Sequence, residues 1–273
     1  EGRAFIEQIR RSEYMIGMTL APDAEAAAEG MRRKLSSALR LLSDDLYSTK
    51  THFVLELIQN ADDNAYEIGV APEIQIGISP STLRIWNNEQ GFTHENVRAL
   101  CSVGESTKSK KVGFIGEKGI GFKSVFQVSD TPEIHSNGFH FRFDMSNPEE
   151  HLGYVVPHWI EPEESISGRG TTIILPSKAR ESFTHAVLSE LDARLLLFLR
   201  KLRRIELRTP GEEVSMQRLD AAGFAVLQTD RHIHGSEATR TRQSYLHVST
   251  SVSMVATPDD KRPEALDSEM ILA

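Results

Sequence analysis

Three polar side chains recur at helical spacing inside an apolar run: Glu56, Asn60 and Asp63, in the stretch Glu56-Leu57-Ile58-Gln59-Asn60-Ala61-Asp62-Asp63. Positions i, i+4 and i+7 lie along one edge of a helix, so two carboxyl groups and one amide line up. A carboxylate held there can take a proton from water, and an amide oxygen one turn on can ligate a hard divalent cation. The same residues would also serve as the solvated side of an ordinary amphipathic helix, whose apolar stripe is Phe53, Val54, Leu57, Ile58, Ala61 and Ala65.

A second stretch points to an anion. Gly116-Glu117-Lys118-Gly119-Ile120-Gly121-Phe122-Lys123-Ser124 lets backbone amides approach a charged group, and a helix entered near Ile120 would aim its positive end there. Upstream, residues 104 to 118 add Ser106, Thr107, Lys108, Lys110 and Lys111, a basic segment able to close over an anion. The Walker pattern fails because Phe122 separates the last glycine from the lysine, and the Rossmann fingerprint fails because Ser124 stands where a glycine is needed. Taken alone, the loop also reads as a tight connection between closely passing backbones. Asp62-Asp63-Asn64 lacks the calcium-loop pattern, and the ten histidines show no metal spacing along the chain.

The elements that must position these residues follow from periodicity. An amphipathic helix is expected within residues 1–18, a second helix over 24–47, and the polar-edged helix after a cap at Ser48 or Thr51, fading near Gly69. Alternation at Ile74, Ile76, Ile78 and then Leu83, Ile85 predicts two strands joined at Ser79-Pro80-Ser81. Thr93 should cap a helix carrying Val97, Leu100 and Cys101. Strands are expected over 125–135 and 138–144 around an Asn137-Gly138 turn, then a polar connection to Ser167 and a strand from Thr171 to Leu175 that Pro176 closes. A long helix over 180–204 and a strand at Ile205-Leu207 close the first unit. The basic run Arg200, Lys201, Arg203, Arg204 reads as its solvated helix end. Residues 209–273 read as the start of a second, truncated α/β domain of shorter alternations.

The chain has 273 residues, 39% hydrophobic, which suffices for a core, and a formal charge of −8, which argues against a dedicated nucleic-acid or anionic-membrane binder. A single cysteine, Cys101, allows no internal disulfide. The reading is a cytoplasmic or nuclear protein without a signal peptide or spanning segment.

Taken together and in this order, the segments resemble the GHKL ATPase superfamily of gyrase, the heat-shock chaperones, histidine kinases and MutL proteins. The run LELIQNADDN, NNEQGFTHENVRALCSVGESTKS and GFIGEKGIGFKSVF is most similar to the NO VEIN and sacsin-like group. The resemblance implies an α/β (α+β) two-layer sandwich, a mixed β-sheet covered on one face by helices, with ATP and Mg2+ among them. It divides the chain into a helical extension at 1–20, an ATP-binding domain at 21–208 and the truncated domain beyond. Glu56 matches the base that polarises the attacking water, and Asn60 the amide that holds magnesium. Asp63, Asn64, Asn87 and Gly91 match positions around the nucleotide, Phe92 an apolar wall for the base, and Ser106, Thr107 and Lys108 the lid. Gly116, Lys118, Gly119, Ile120, Gly121 and Phe122 match the phosphate cradle, and Thr171 a hydroxyl at the adenine end.

The superfamily usually places an aspartate under the adenine amino group, where this chain has Asn87. An amide can turn either way, so ATP over GTP discrimination on the order of tenfold is expected unless Asn88 or Glu89 holds it. The implied function is an ATP-binding, slowly hydrolysing, chaperone-like module of a larger protein. Its lid responds to nucleotide, it has a protein partner or client, and dimerisation depends on nucleotide. The alternatives are a nucleotide switch without turnover, and a histidine-kinase-type phosphotransferase, for which no upstream dimerising helix with a phosphoacceptor histidine is evident.

Overall fold

The computed structural model describes residues 1–46, 52–102, 121–146, 152–163, 166, 168–178, 183–221, 223–246, 248–253 and 267–272. Three helices come first: α1 (Gly2–Tyr14), α2 (Pro22–Leu46) and α3 (His52–Asp63). The hairpin β1 (Glu73–Ile78) and β2 (Thr82–Asn87) follows with the expected turn, and then α4 (His94–Cys101). Thr93 caps α4 through a reciprocal bond with Asn96, which satisfies two amides that the first turn leaves open.

The alternation of β1 and β2 is matched by burial on every second residue, so one sheet face is core. Ile74, Ile76, Ile78, Leu83 and Ile85 join Phe53, Val54, Leu57, Ile58 and Ala61 of α3 in one apolar cluster. Burying Val54, Leu57 and Ile58 contributes roughly 1.5–3 kcal/mol each, which holds the polar edge of α3 in place. Ala65 lies past the helix and is exposed.

Ten strands form one mixed sheet in the order β10-β9-β8-β7-β1-β2-β6-β3-β4-β5. Its remaining members are β3 (Glu133–Ser136), β4 (Phe139–Arg142), β5 (His158–Trp159), β6 (Thr171–Pro176), β7 (Arg204–Arg208), β8 (Glu212–Ala221), β9 (Phe224–Ile233) and β10 (Thr239–Leu246). The β1–β7 pair is parallel and the other neighbouring pairs are antiparallel. A separate pair, β11 (Val248–Ser253) with β12 (Asp267–Leu272), lies beyond.

Several expectations change. The polar-edged helix ends at Asp63, not near Gly69, because Lys201 Nζ takes the carbonyls of Asp63 and Asn64 at 2.9 and 2.6 Å and closes its last turn. The helix expected from Ile120 is a 3-10 helix over residues 121–127, which replaces the start of the strand expected from 125, its apolar run Phe122, Val125 and Phe126 all buried at helical spacing. The connection after Ser146 is not simply polar, since Leu152, Val155 and Val156 belong to the core. The expected helix over 180–204 is two short ones, α5 (Phe183–Glu190) and α6 (Leu195–Phe198), separated where Asp192 turns its carboxylate onto the Arg194 amide at 2.8 Å. Arg200 and Lys201 are therefore not a solvated helix end but a loop laid against α3. Past residue 208 the strands lengthen to ten residues, and β8 pairs directly with β7. The boundary expected at 208 thus falls between two neighbouring strands of one sheet.

Candidate functional site

The polar edge of α3 meets the exit of the glycine-rich loop. Gly121 begins the 3-10 helix, and a Cβ added to it would land on Glu56 Oε2. The backbone of Gly121 therefore passes close to the end of the Glu56 side chain. Glu56 and Asn60 are both partly buried, one turn apart on α3.

The 3-10 helix is anchored by a residue that the sequence reading did not single out. Lys123 is 8% exposed and donates to the carbonyls of Leu100 and Tyr154 at 2.5 and 2.6 Å, with its Nζ 4.5 Å from the Phe143 ring centroid. Burial pulls its pKa down to about 8, partly offset by the neighbouring Cys101. Burial pushes the Cys101 thiol up to about 12. Ser124 turns its hydroxyl inward onto the Gly121 carbonyl at 2.6 Å. Phe122, expected at the nucleotide, is buried against Phe143, so its side chain belongs to the core.

At the other end of α3, Asp62 is buried and accepts the backbone N–H groups of Arg200, Lys201 and Leu202 at 2.9, 2.7 and 2.8 Å. Asp63 is buried as well, and Arg200 Nη2 donates to it at 3.1 Å. The carboxylate expected near a nucleotide therefore faces Arg200. The carbonyl of Asn64 is taken by Lys201.

The sheet supplies the floor. In register, Asn87 of β2 lies opposite Thr171 of β6, which lies opposite Ser136 of β3, all on the helix side. Thr171 donates to the Glu89 carboxylate, which accepts only, so Ser136 Oγ must donate to Thr171 Oγ1 at 2.6 Å. Ser136 in turn accepts the Phe92 amide at 2.8 Å. A directed chain of hydrogen bonds thus runs from Phe92 to Glu89. Gly170, at φ 95°, brings the chain so close to the Asn87 carbonyl that a Cβ would collide with it, which sets Thr171 beside Asn87. Gly91 abuts Asn137, whose amide donates to the Phe92 carbonyl at 3.0 Å. Phe92 packs half-buried on the core.

Asn87 is 5% exposed and lies beside Tyr66. The Tyr66 hydroxyl gives its proton to the Ala61 carbonyl at 2.7 Å, so toward Asn87 its oxygen can only accept. Asn88 is engaged elsewhere, with the Glu73 amide and the Ala71 carbonyl at 2.9 and 2.8 Å. Burial raises the Tyr66 pKa, so the phenol keeps the proton it donates. Tyr66 and Ser136 carried no periodic or motif signal, and Glu89 was marked only as part of the NNEQGF run. Only the polarity of Asn88-Glu89 at the end of an apolar strand marked the place. Ser106, Thr107, Lys108, Gly116, Lys118, Gly119 and Ile120 lie outside the described residues, as do Ser48 and Thr51. Among the described residues, no helix is long and apolar enough to cross a membrane.

Comparison with known proteins agrees with this architecture. The Sacsin domain family matches residues 73–167. Protein NO VEIN of Arabidopsis thaliana is 43% identical over 224 residues, 74% of this chain and 8% of that protein. Human Sacsin is 30% identical over 120 residues, 39% of this chain and 3% of that protein. The chain thus spans only a small part of the length of these relatives. More distantly, the chaperone protein HtpG of Actinobacillus succinogenes is 29% identical over 135 residues, 39% of this chain and 21% of that protein. By these matches, and by a mixed sheet with helices on its buried face, the chain belongs with the GHKL-like group of sacsin and NO VEIN.

Proposed function

We propose that this chain is an ATP-binding, slowly hydrolysing module of a larger chaperone-like protein. The observation that carries the reading is the contact of Gly121 with Glu56, since it joins a glycine-rich loop to a carboxylate on a buried helix. The residues present fit magnesium and a triphosphate: the backbone of Gly121 beside Glu56, an amide oxygen at Asn60 and an acidic group at Glu56. Mg-ATP, when bound, supplies the electrophilic phosphorus. In this reading Glu56 would take the proton of the attacking water, Asn60 would offer its amide oxygen to the metal, and the Ser136–Thr171–Glu89 chain fixes the floor beside the base. The module acts as a nucleotide-dependent switch in this reading, and the lid expected at residues 104 to 118 lies outside the described residues. Its likeness to HtpG supports both nucleotide binding and a protein client.

The test is calorimetric titration with Mg-ATP alongside phosphate release. Glu56→Ala should abolish release and leave binding within a few-fold, because the carboxylate acts on water. Asn60→Ala should weaken binding by about tenfold or more through loss of a metal ligand. Loss of binding in Glu56→Ala with none in Asn60→Ala would reverse the roles. Binding without release in the natural chain would reduce the reading to a switch without turnover.

A further inference from the structure

On the sheet face opposite the helices, two imidazoles converge. His135 of β3 and His140 of β4 are cross-strand partners two residues from the Asn137-Gly138 turn, whose φ values are 48° and 80°. In a two-residue hairpin, Ser136 and Phe139 form the hydrogen-bonded pair next to the turn. His135 and His140 therefore fall at the non-hydrogen-bonded pair, where side chains come closest. Their Nδ1 atoms are 3.1 Å apart. His135 is 4% exposed, and its Nε2 has no hydrogen-bond partner, with Glu133 Oε2 at 3.7 Å.

No neutral tautomer serves both rings. If His135 gives its Nδ1 proton to His140, the lone pair on its own Nε2 is buried without a donor. If His140 gives the proton, the Nε2–H of His135 faces only the Glu133 carboxylate at 3.7 Å, beyond hydrogen-bond distance. A cation between the Nδ1 atoms would take both lone pairs, leave each ring its proton on Nε2, and make that of His135 a stronger donor toward the Glu133 carboxylate. Two nitrogens bound at 2.0–2.1 Å in tetrahedral geometry stand about 3.3–3.4 Å apart, close to the observed separation.

Glu133 and Glu161 face the pair, Arg142, opposite Glu133, is turned to Asp144 at 3.5 Å, and of the two arginines that also line the groove, Arg169 is paired with Glu67 at 2.8 Å. Both histidines line a groove of about 650 Å³ together with Trp86, Asn137 and Thr172, which leaves the remaining coordination positions to water or to a ligand donor. Among the described residues no group of three or more histidine, cysteine, aspartate or glutamate side chains is placed for a metal, so the protein supplies two ligands. We propose that His135 and His140 form a two-histidine site for a borderline divalent transition metal, Zn2+ or Cu2+, on the sheet face away from the proposed nucleotide site.

The experiment is titration of the full chain with Zn2+ and with Cu2+ in a non-chelating buffer at pH 7.5, without nucleotide. One equivalent should bind, weakened at least tenfold in His140→Gln and about tenfold in Glu133→Gln. His232→Gln combined with His234→Gln should leave it unchanged. The Cu2+ spectrum should show coupling to two imidazole nitrogens, reduced to one in His140→Gln. His140 is only partly buried, so this variant should fold even where His135→Gln does not. An affinity and a spectrum unaltered by His140→Gln, or no binding at all, would overturn the site and leave the pair as an imidazole–imidazole hydrogen bond.

Discussion

Replacing Lys123 by methionine should change how stability depends on pH, in a direction fixed by burial. The folded ammonium has a pKa of about 8 against 10.5 for the unfolded chain, because burial disfavours its charge. Between those values the unfolded chain holds a proton that the folded chain has released, so stability rises with pH. The gap of about 2.5 pH units corresponds to about 3 kcal/mol when the window is crossed completely, at about 1.4 kcal/mol per unit. Cys101 acts the other way. Its thiol is raised from 9.0 to about 12, so above pH 9 the unfolded chain ionises while the folded chain does not, and stability falls. The natural chain should gain stability first and lose it later, whereas Lys123→Met should show only the loss. Methionine can fill the space among Phe122, Phe126 and Phe143 without charge. Urea denaturation of both proteins at pH 7, 8, 9 and 10 gives the difference, in which contributions from groups not coupled to Lys123 cancel; Cys101, which is coupled, enters only above pH 9. The natural chain should gain on the variant by about 1.4 kcal/mol per unit above pH 8. A flat or falling difference would refute the reasoning. It would mean that the carbonyls of Leu100 and Tyr154 and the Phe143 ring stabilise the ammonium more than burial penalises it.

Two other substitutions probe the ends of α3. Asp62→Ala leaves three backbone N–H groups without their acceptor and should cost roughly 3–5 kcal/mol, read as a lower urea midpoint with Glu56 untouched; a loss under 1 kcal/mol would show that water replaces the carboxylate. Tyr66→Phe removes the acceptor of the Asn87 NH2 group, so the ratio of GTP to ATP dissociation constants should fall by about tenfold. With Tyr66 present, the amide keeps its oxygen for an amino group. The natural ratio should therefore exceed the tenfold that a freely turning amide gives, and Asn87→Asp should barely raise it. Equal ratios in the natural chain and Tyr66→Phe would show that the base is read elsewhere.

What could be read beforehand depended on whether the signal was local. The apolar period of α3, the alternation of β1 and β2 and the Thr93 cap each arise within one or two turns of chain, so their residues announce them. The extent of the 3-10 helix at 121–127 did not announce itself, because a short apolar run such as Val125-Phe126 suits a strand as well as a helix. The break at residues 191–194 was hidden by leucines that keep helical spacing on both sides of it. Within the candidate site, Glu56, Asn60 and the glycine loop were legible from residue type and order. Asp62 and Tyr66 were not. Asp62 acts on amides 138 to 140 positions away, and Tyr66 matters through the strand end at Asn87. Similarly, His135 and His140 lack any metal spacing along the chain and meet only because the hairpin turns between them.

The parallel pairing of β1 with β7 imposes an order on biosynthesis. Glu73 aligns with Arg204 and Ile76 with Leu207, so the strand beside the first hairpin is made about 130 residues after it. Until then the hairpin has one open edge, and Asp62 has no amides to accept. Closing so long a loop costs conformational entropy before any contact repays it, and such topologies fold slowly. A nascent chain released before residue 208 would therefore expose an unpaired, isoleucine-rich strand edge, the kind of surface that templates aggregation. Fragments ending at residue 200 should collect in the insoluble fraction, and those that include β7 should not.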